Sequence, residues 1–128
     1  MAVILQETAL ALLATGTAGM QTADGKTTIY TIPTGKKAIV SAVLVRNPTA
    51  SLAGGTDYDF GDGAAADTWQ TAIDLSAMTA TTDGKLIWDD GAKKTIFDAG
   101  DQFGIKPITG STADADATIV IFGYEWDA

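Results

Sequence analysis

Asp57, Asp59 and Asp62 fall within the seven residues DYDFGDG, beside two glycines. Carboxylates at that spacing suit three roles. Oxygen ligands on alternate residues can hold calcium. Two carboxyls facing each other across a cleft can cleave a glycosidic bond as acid and base or nucleophile. Aspartate beside glycine can also just close a turn, because its side chain accepts hydrogen bonds from the backbone ahead of it. As an EF-hand loop the stretch fails. Counted from Asp57, positions 5, 6 and 12 are Gly61, Asp62 and Thr68, where that loop needs an oxygen ligand, a glycine and a bidentate glutamate. A calcium site of another kind would draw on Asp57, Asp59 and a more distant carboxylate, Asp67. The expectation is no metal and no cofactor: Tyr58 and Phe60 alternate with Asp57 and Asp59, which is the pattern of a strand with one wet face running into the turn Asp62-Gly63.

Other acid pairs invite the catalytic reading, Asp89/Asp90 and Asp98/Asp101, but each sits with glycine in a turn-like segment. Histidine and cysteine are both absent. That removes the commonest general base, the commonest zinc ligands and every Ser–His or Cys–His nucleophile arrangement. ASLAGGTD, residues 50–57, has no following lysine and no phosphate-loop pattern. The chain therefore reads as non-enzymatic.

Charge excludes further classes. Sixteen acidic residues against eight basic ones leave a net charge of −8, and Arg46 is the only arginine. Such a surface repels nucleic-acid phosphates and anionic membranes alike. The opening MAVILQETALALLATGTAG is apolar, yet Gln6 and Glu7 interrupt it and no lysine precedes it, unlike an export signal.

The elements that would position these residues are strands. Threonine, valine and isoleucine abound, and 14 glycines punctuate 128 residues. Extended runs are expected at 27–32, 37–46, 56–61, 68–75, 85–88, 95–97, 102–108 and 117–126. Residues 2–15 read as an extended arm or first strand. Asp24-Gly25 reads as a primed hairpin turn, Pro107 as a mark of an edge or bulge, and Gly123 as a bulge or a close backbone approach. Trp69, Thr71, Ile73 and Leu75 are expected on one strand face. The fold class is all-β: a β-sandwich of about eight strands in a jelly-roll or Greek-key arrangement, with residues 1–20 as N-terminal arm or first strand and 21–128 as the sandwich domain.

Two strands stand out. KAIVSAVLVR (37–46) and ATIVIFGYEW (117–126) are apolar on both faces, although a two-sheet sandwich leaves one face of each sheet wet. The surplus apolar surface calls for a neighbour, so a homo-oligomer is expected. The interface is expected to draw on the arm (Val3, Leu5, Leu10, Leu12) and the last strand (Val120, Phe122, Tyr124, Trp126). Trp69, Trp88 and Trp126 with Tyr30, Tyr58 and Tyr124 offer the competing use, a sugar-stacking platform, although aromatics at such positions more often fill a core or a subunit interface.

TTIYTIPTGKKAIVSAVLVRNPTA (27–50), AGDQFGIKP (99–107) and the ATIVIFGYEW ending resemble segments of small virion proteins of tailed bacteriophages. The resemblance covers under half of the chain and carries over no functional residues. It implies a capsid decoration (cement) protein, a trimer bound to the major capsid protein on the capsid exterior and made in the bacterial cytoplasm. The alternative is a phage tail, fibre or adhesin-type carbohydrate-binding sandwich.

Overall fold

The computed structural model describes residues 11–128. Val3, Leu5 and Leu10 lie outside the described residues. The rest forms nine strands: β1 (Ala11–Gly19), β2 (Thr27–Thr31), β3 (Lys36–Arg46), β4 (Asp57–Gly61), β5 (Gln70–Ile73), β6 (Gly84–Trp88), β7 (Ile96–Asp98), β8 (Gln102–Thr109) and β9 (Asp116–Asp127). One sheet has the order β1-β9-β3-β6, with β7 beside the other end of β3; the second has the order β2-β8-β4-β5.

All pairings are antiparallel, and they nest: β1 with β9, β2 with β8, β3 with β6 and β7, β4 with β5. That is a long hairpin rolled so that alternate pairs fall in opposite sheets, the jelly-roll form of a β-sandwich. β6 covers Ala42–Arg46 and β7 covers Lys37–Ile39, so together they fill one strand position, interrupted by the turn around Gly91. The expectation of about eight strands in a β-sandwich is met in this sense.

The core follows from alternation, which the bulge between Val40 and Ala42 shifts by one residue along β3. Ala38, Val40, Val43 and Val45 of β3 point inward with Ala117, Ile119 and Ile121 of β9, and meet Tyr58, Phe60, Phe103 and Ile105 from the other sheet. Between them Trp69 packs edge-on to Phe60 and Phe103, with ring centroids 6.3 and 5.6 Å apart.

Two local expectations are corrected. Asp24-Gly25 is no primed hairpin. Thr22–Asp24 forms a 3-10 turn whose Asp24 carboxylate accepts from the Gln21 N–H at 3.0 Å, and only Gly25, at φ 65°, takes the left-handed region. The strands it joins go to different sheets, so a two-residue hairpin could not connect them. β5 is shorter than the run 68–75, because Ala72 at φ 57° breaks the alternation; Trp69 and the adjacent Gln70 are both buried. Of the two roles expected for Pro107, edge or bulge, the structure shows the bulge, on a central strand: β4 pairs Asp57 with Thr109 and then Tyr58 with Pro107. On the other flank β2 pairs no further than Ile105, so the N–H that proline lacks is not missed there.

Candidate functional site: an apolar outer sheet face

The acidic stretch lands as its alternation indicates. Tyr58 and Phe60 are fully buried, while Asp57 and Asp59 lie on the outer face of β4, where Asp59 faces Lys106 across the ladder. The Asp59 carboxylate accepts from the Ala72 N–H at 3.1 Å. Its pKa is raised, first by burial and then by the neighbouring charges of Asp57 and Asp67, against the pull of that N–H. Among the described residues no group of three acidic side chains is arranged to hold a metal ion. Asp62 instead accepts from the Thr68 hydroxyl and pairs with Lys94 at 2.9 Å; Lys94 also reaches Asp101 at 3.1 Å. These contacts pin the β4–β5 turn to the segments flanking β7. Burial alone would raise the Asp62 pKa, but Thr68 and Lys94 hold it below the ordinary value. Asp89 and Asp90 accept from the N–H groups of Gly91 and Ala92, both at 2.9 Å, as turn-forming aspartates do.

The aromatic set divides. Trp69, Tyr30 and Tyr58 belong to the core, and the Tyr30 hydroxyl donates to Glu125. Trp88, Tyr124 and Trp126 lie on the outer face of the β1-β9-β3-β6 sheet. There the register sets out rows of side chains across the strands. Leu12, Phe122, Ala42 and Trp88 form one row. Thr15, Val120, Leu44 and Leu86 form the next. On the other side of the first row run Tyr124, Ile39 and Ile96. Polar residues close the patch: Thr17, Thr118 and Arg46 at one end, Lys37 paired with Asp98 at 3.0 Å at the other. Tyr124 and Trp126 stack at 6.0 Å with planes 17° apart.

Six large apolar side chains are conspicuously exposed among the described residues, and five of them lie on this face: Leu12 at 63%, Leu86, Trp88 at 56%, Ile96 and Tyr124. Ile108, on β8, is the sixth. With strands ~4.8 Å apart, the patch is roughly 15 Å wide and amounts to a few hundred Å², the size at which surface patches on monomers are often functional. Of the residues expected at an interface, Leu12, Phe122, Tyr124 and Trp126 lie on this face, and Val120, also named, is buried to 7% exposure between its neighbours. Sequence reasoning missed Leu44, Leu86 and Ile96 as members of the same patch. Strict alternation sets Leu44 on the face of Ala38 and Val40, which are core; the bulge between Val40 and Ala42 turns it outward, and Leu86 and Ile96 required the pairing to be known.

The cleft elsewhere is of another character. A shallow depression of about 450 Å³ is lined by Lys26, Asp62, Asp101 and Gln102, but the Lys26 ammonium is already engaged, donating to the carbonyls of Gly63 and Gln102 at 2.7 Å each. Among the described residues no helix is long and apolar enough to cross a membrane.

No protein-family model and no curated protein matches the chain. Among solved structures, a chain of the cyanophage Pam1 capsid asymmetric unit is similar at 16% identity and a TM-score of 0.54, over 91% of this chain and 86% of that chain. A chain of the acidic stable capsid structure of Helicobacter pylori bacteriophage KHP30 matches at 10% identity and a TM-score of 0.47, over 94% of this chain and 99% of that chain. The first likeness shows a shared fold across nearly the whole chain.

Proposed function

We propose that this chain is a non-enzymatic structural component of a tailed-phage virion, a capsid decoration protein that sits on the shell exterior as a trimer and contacts the major capsid protein. The observation that carries the reading is the apolar outer face built on β1, β9, β3 and β6, with Leu12, Trp88 and Tyr124 exposed around Phe122 and Ala42. An isolated chain gains nothing from holding these side chains in water, whereas a neighbour that covers them gains roughly 25 cal/mol for each Å² of apolar area removed from solvent. A sandwich that binds the assembled shell better than its free subunits stabilises the shell by mass action, with no chemistry required. The fold shared with a chain from a phage capsid supports the setting, although a jelly roll by itself specifies no function.

The test is cosedimentation. Purified chain is mixed with shells that lack it, taken from the phage whose genome encodes it, and spun through sucrose. The wild-type chain travels with the shells, and Trp88→Asp remains at the top of the gradient. If wild-type chain also remains at the top, the decoration role is lost.

A carbohydrate-binding adhesin is the second reading, favoured by the stacked Tyr124 and Trp126 on a flat face with Trp88 nearby. A glycan array discriminates: a reproducible sugar signal abolished by Trp88→Ala selects the adhesin.

A further inference from the structure

Every open sheet edge is a template for another strand, and folded proteins blunt their edges with charge, proline, short length or bulges. Most edge positions in this sandwich are blunted. β2 has five residues, with Lys26 before it and Pro33 soon after. β5 has four residues and is broken by Ala72 at φ 57°. β6 has five residues with Lys85 among them, and β7 has three. β1 is the exception. It has nine residues, ALLATGTAG, with no charge and no proline. Its one bulge lies between Leu12 and Ala14, and from Ala14 to Gly19 the register is regular. Among the described residues its ladder goes to β9, and its outer edge pairs with no strand. The apolar face runs up to this edge, ending in Leu12 at 63% exposure.

We propose that residues 2–10 of a neighbouring copy add as a strand along the outer edge of β1. The segment, AVILQETAL, is apolar enough to form a strand. Residues 1–10 contain no glycine, proline, asparagine or aspartate, and neither do Ala11–Thr15. The tight hairpin that would fold the segment back onto its own β1 depends on those residue types. Straight continuation of β1 along its own sheet finds little support, because β9 extends only from Tyr124 to Asp127 beyond the Ala11–Gly123 pair, while ten residues of the sequence precede Ala11. Added to the β1 edge, the segment satisfies main-chain groups there, and alternate side chains such as Val3 and Leu5 lie on one face. The contact is heterologous, of the kind that makes a ring where the rotation between copies closes. The inference deepens the oligomer of the decoration reading and rests on it for its biological use.

The sequence has no cysteine, so Leu5→Cys and Thr15→Cys each give a chain with a single thiol. The two full-length variants are mixed, allowed to exchange, and treated with a flexible bismaleimide. The expected product is a covalent dimer that forms in the mixture far faster than in either variant alone. The double variant is expected to give a ladder of linked copies; an internally linked monomer would instead show that each chain covers its own edge, and would overturn the proposal. Native mass spectrometry supplies the second measurement: deleting residues 2–10 is expected to convert oligomer to monomer. An oligomer that survives the deletion, or a mixture that yields no covalent dimer, also overturns it. Shells play no part in either readout. A chain that links in this way but fails to cosediment with shells loses the decoration role and keeps the exchanged strand.

Discussion

The indole N–H of Trp69 donates to the main-chain carbonyl of Val40 at 3.0 Å, bridging the two sheets through the middle of the core. Val40 borders the bulge that separates its pairing with Gly123 from that of Ala42 with Phe122. A bulge leaves main-chain groups out of the ladder, and this indole supplies a partner for one of them. Trp69→Phe keeps an aromatic ring but strands a buried carbonyl and leaves unfilled volume. The expected loss is about 2–4 kcal/mol, read as a lower urea midpoint by circular dichroism. A midpoint within error of wild type would show that the bridge contributes nothing.

Gly123 faces the same bulge from β9. A Cβ built there overlaps the carbonyl oxygen of Ile39 and touches the Leu13 side chain. Its backbone, not its conformational freedom, is what demands glycine. Gly123→Ala must push two central strands apart at the point where both β1 and β3 shift register. The expected cost is about 1–3 kcal/mol, as for other overpacked cores. Gly91→Ala is the comparison: it meets open space but sits at φ 72°, so its penalty comes from backbone strain alone and should be the smaller.

Asp59 carries a pH signature. Burial, then the charges of Asp57 and Asp67, raise its pKa in the folded chain despite the Ala72 N–H. A carboxyl raised on folding makes a contribution that is fully present below its unfolded value and lost as pH rises through its folded value. Asp59→Asn removes that charge while its amide oxygen can still accept from Ala72. The variant should therefore melt higher than wild type at pH 7, and at the same temperature at about pH 3, below the ordinary aspartate value. An equal or lower melting temperature at pH 7 would refute the assignment. Asp62 works in the opposite sense: its pKa is depressed, so its contribution is present above the ordinary value and fades as pH falls through the folded one.

The sheet architecture was legible because the strands obey period 2. Tyr58 and Phe60 against Asp57 and Asp59 declared the wet face of β4 directly, and Gly123 declared its close approach. What failed depended on partners remote in sequence. Asp24-Gly25 matches a hairpin turn locally, but which sheet receives β1 is decided by β9, about a hundred residues later. Ala72 has no feature that marks a left-handed conformation, and its N–H donates to Asp59 on the neighbouring strand, a contact no local pattern announces. The outer face was half legible for the same reason. The double-sided apolar pattern of 37–46 and 117–126 required a covered second face, but Leu86 and Ile96 look like ordinary short-strand residues until the register sets them beside Leu44 and Ile39.

That register also makes the face testable apart from any shell. Trp88 and Leu12 are more than half exposed, at 56% and 63%, so replacing either with aspartate removes little that the single chain buries. Surface substitutions of this kind change folding stability by about 0.5 kcal/mol or less. At the centre of an interface, a charge that must be desolvated beside Phe122 and Ile39 costs far more, about 2 kcal/mol or above for a dominant contact, or roughly 30-fold in affinity. If copies associate through this face as proposed, Trp88→Asp and Leu12→Asp should abolish that association in sedimentation velocity while leaving the urea midpoint of the single chain near that of dilute wild type. Ile108→Asp alters an exposed apolar residue on the opposite sheet and should leave association untouched. If all three behave alike, the apolar rows across β1, β9, β3 and β6 are not the surface through which the copies meet.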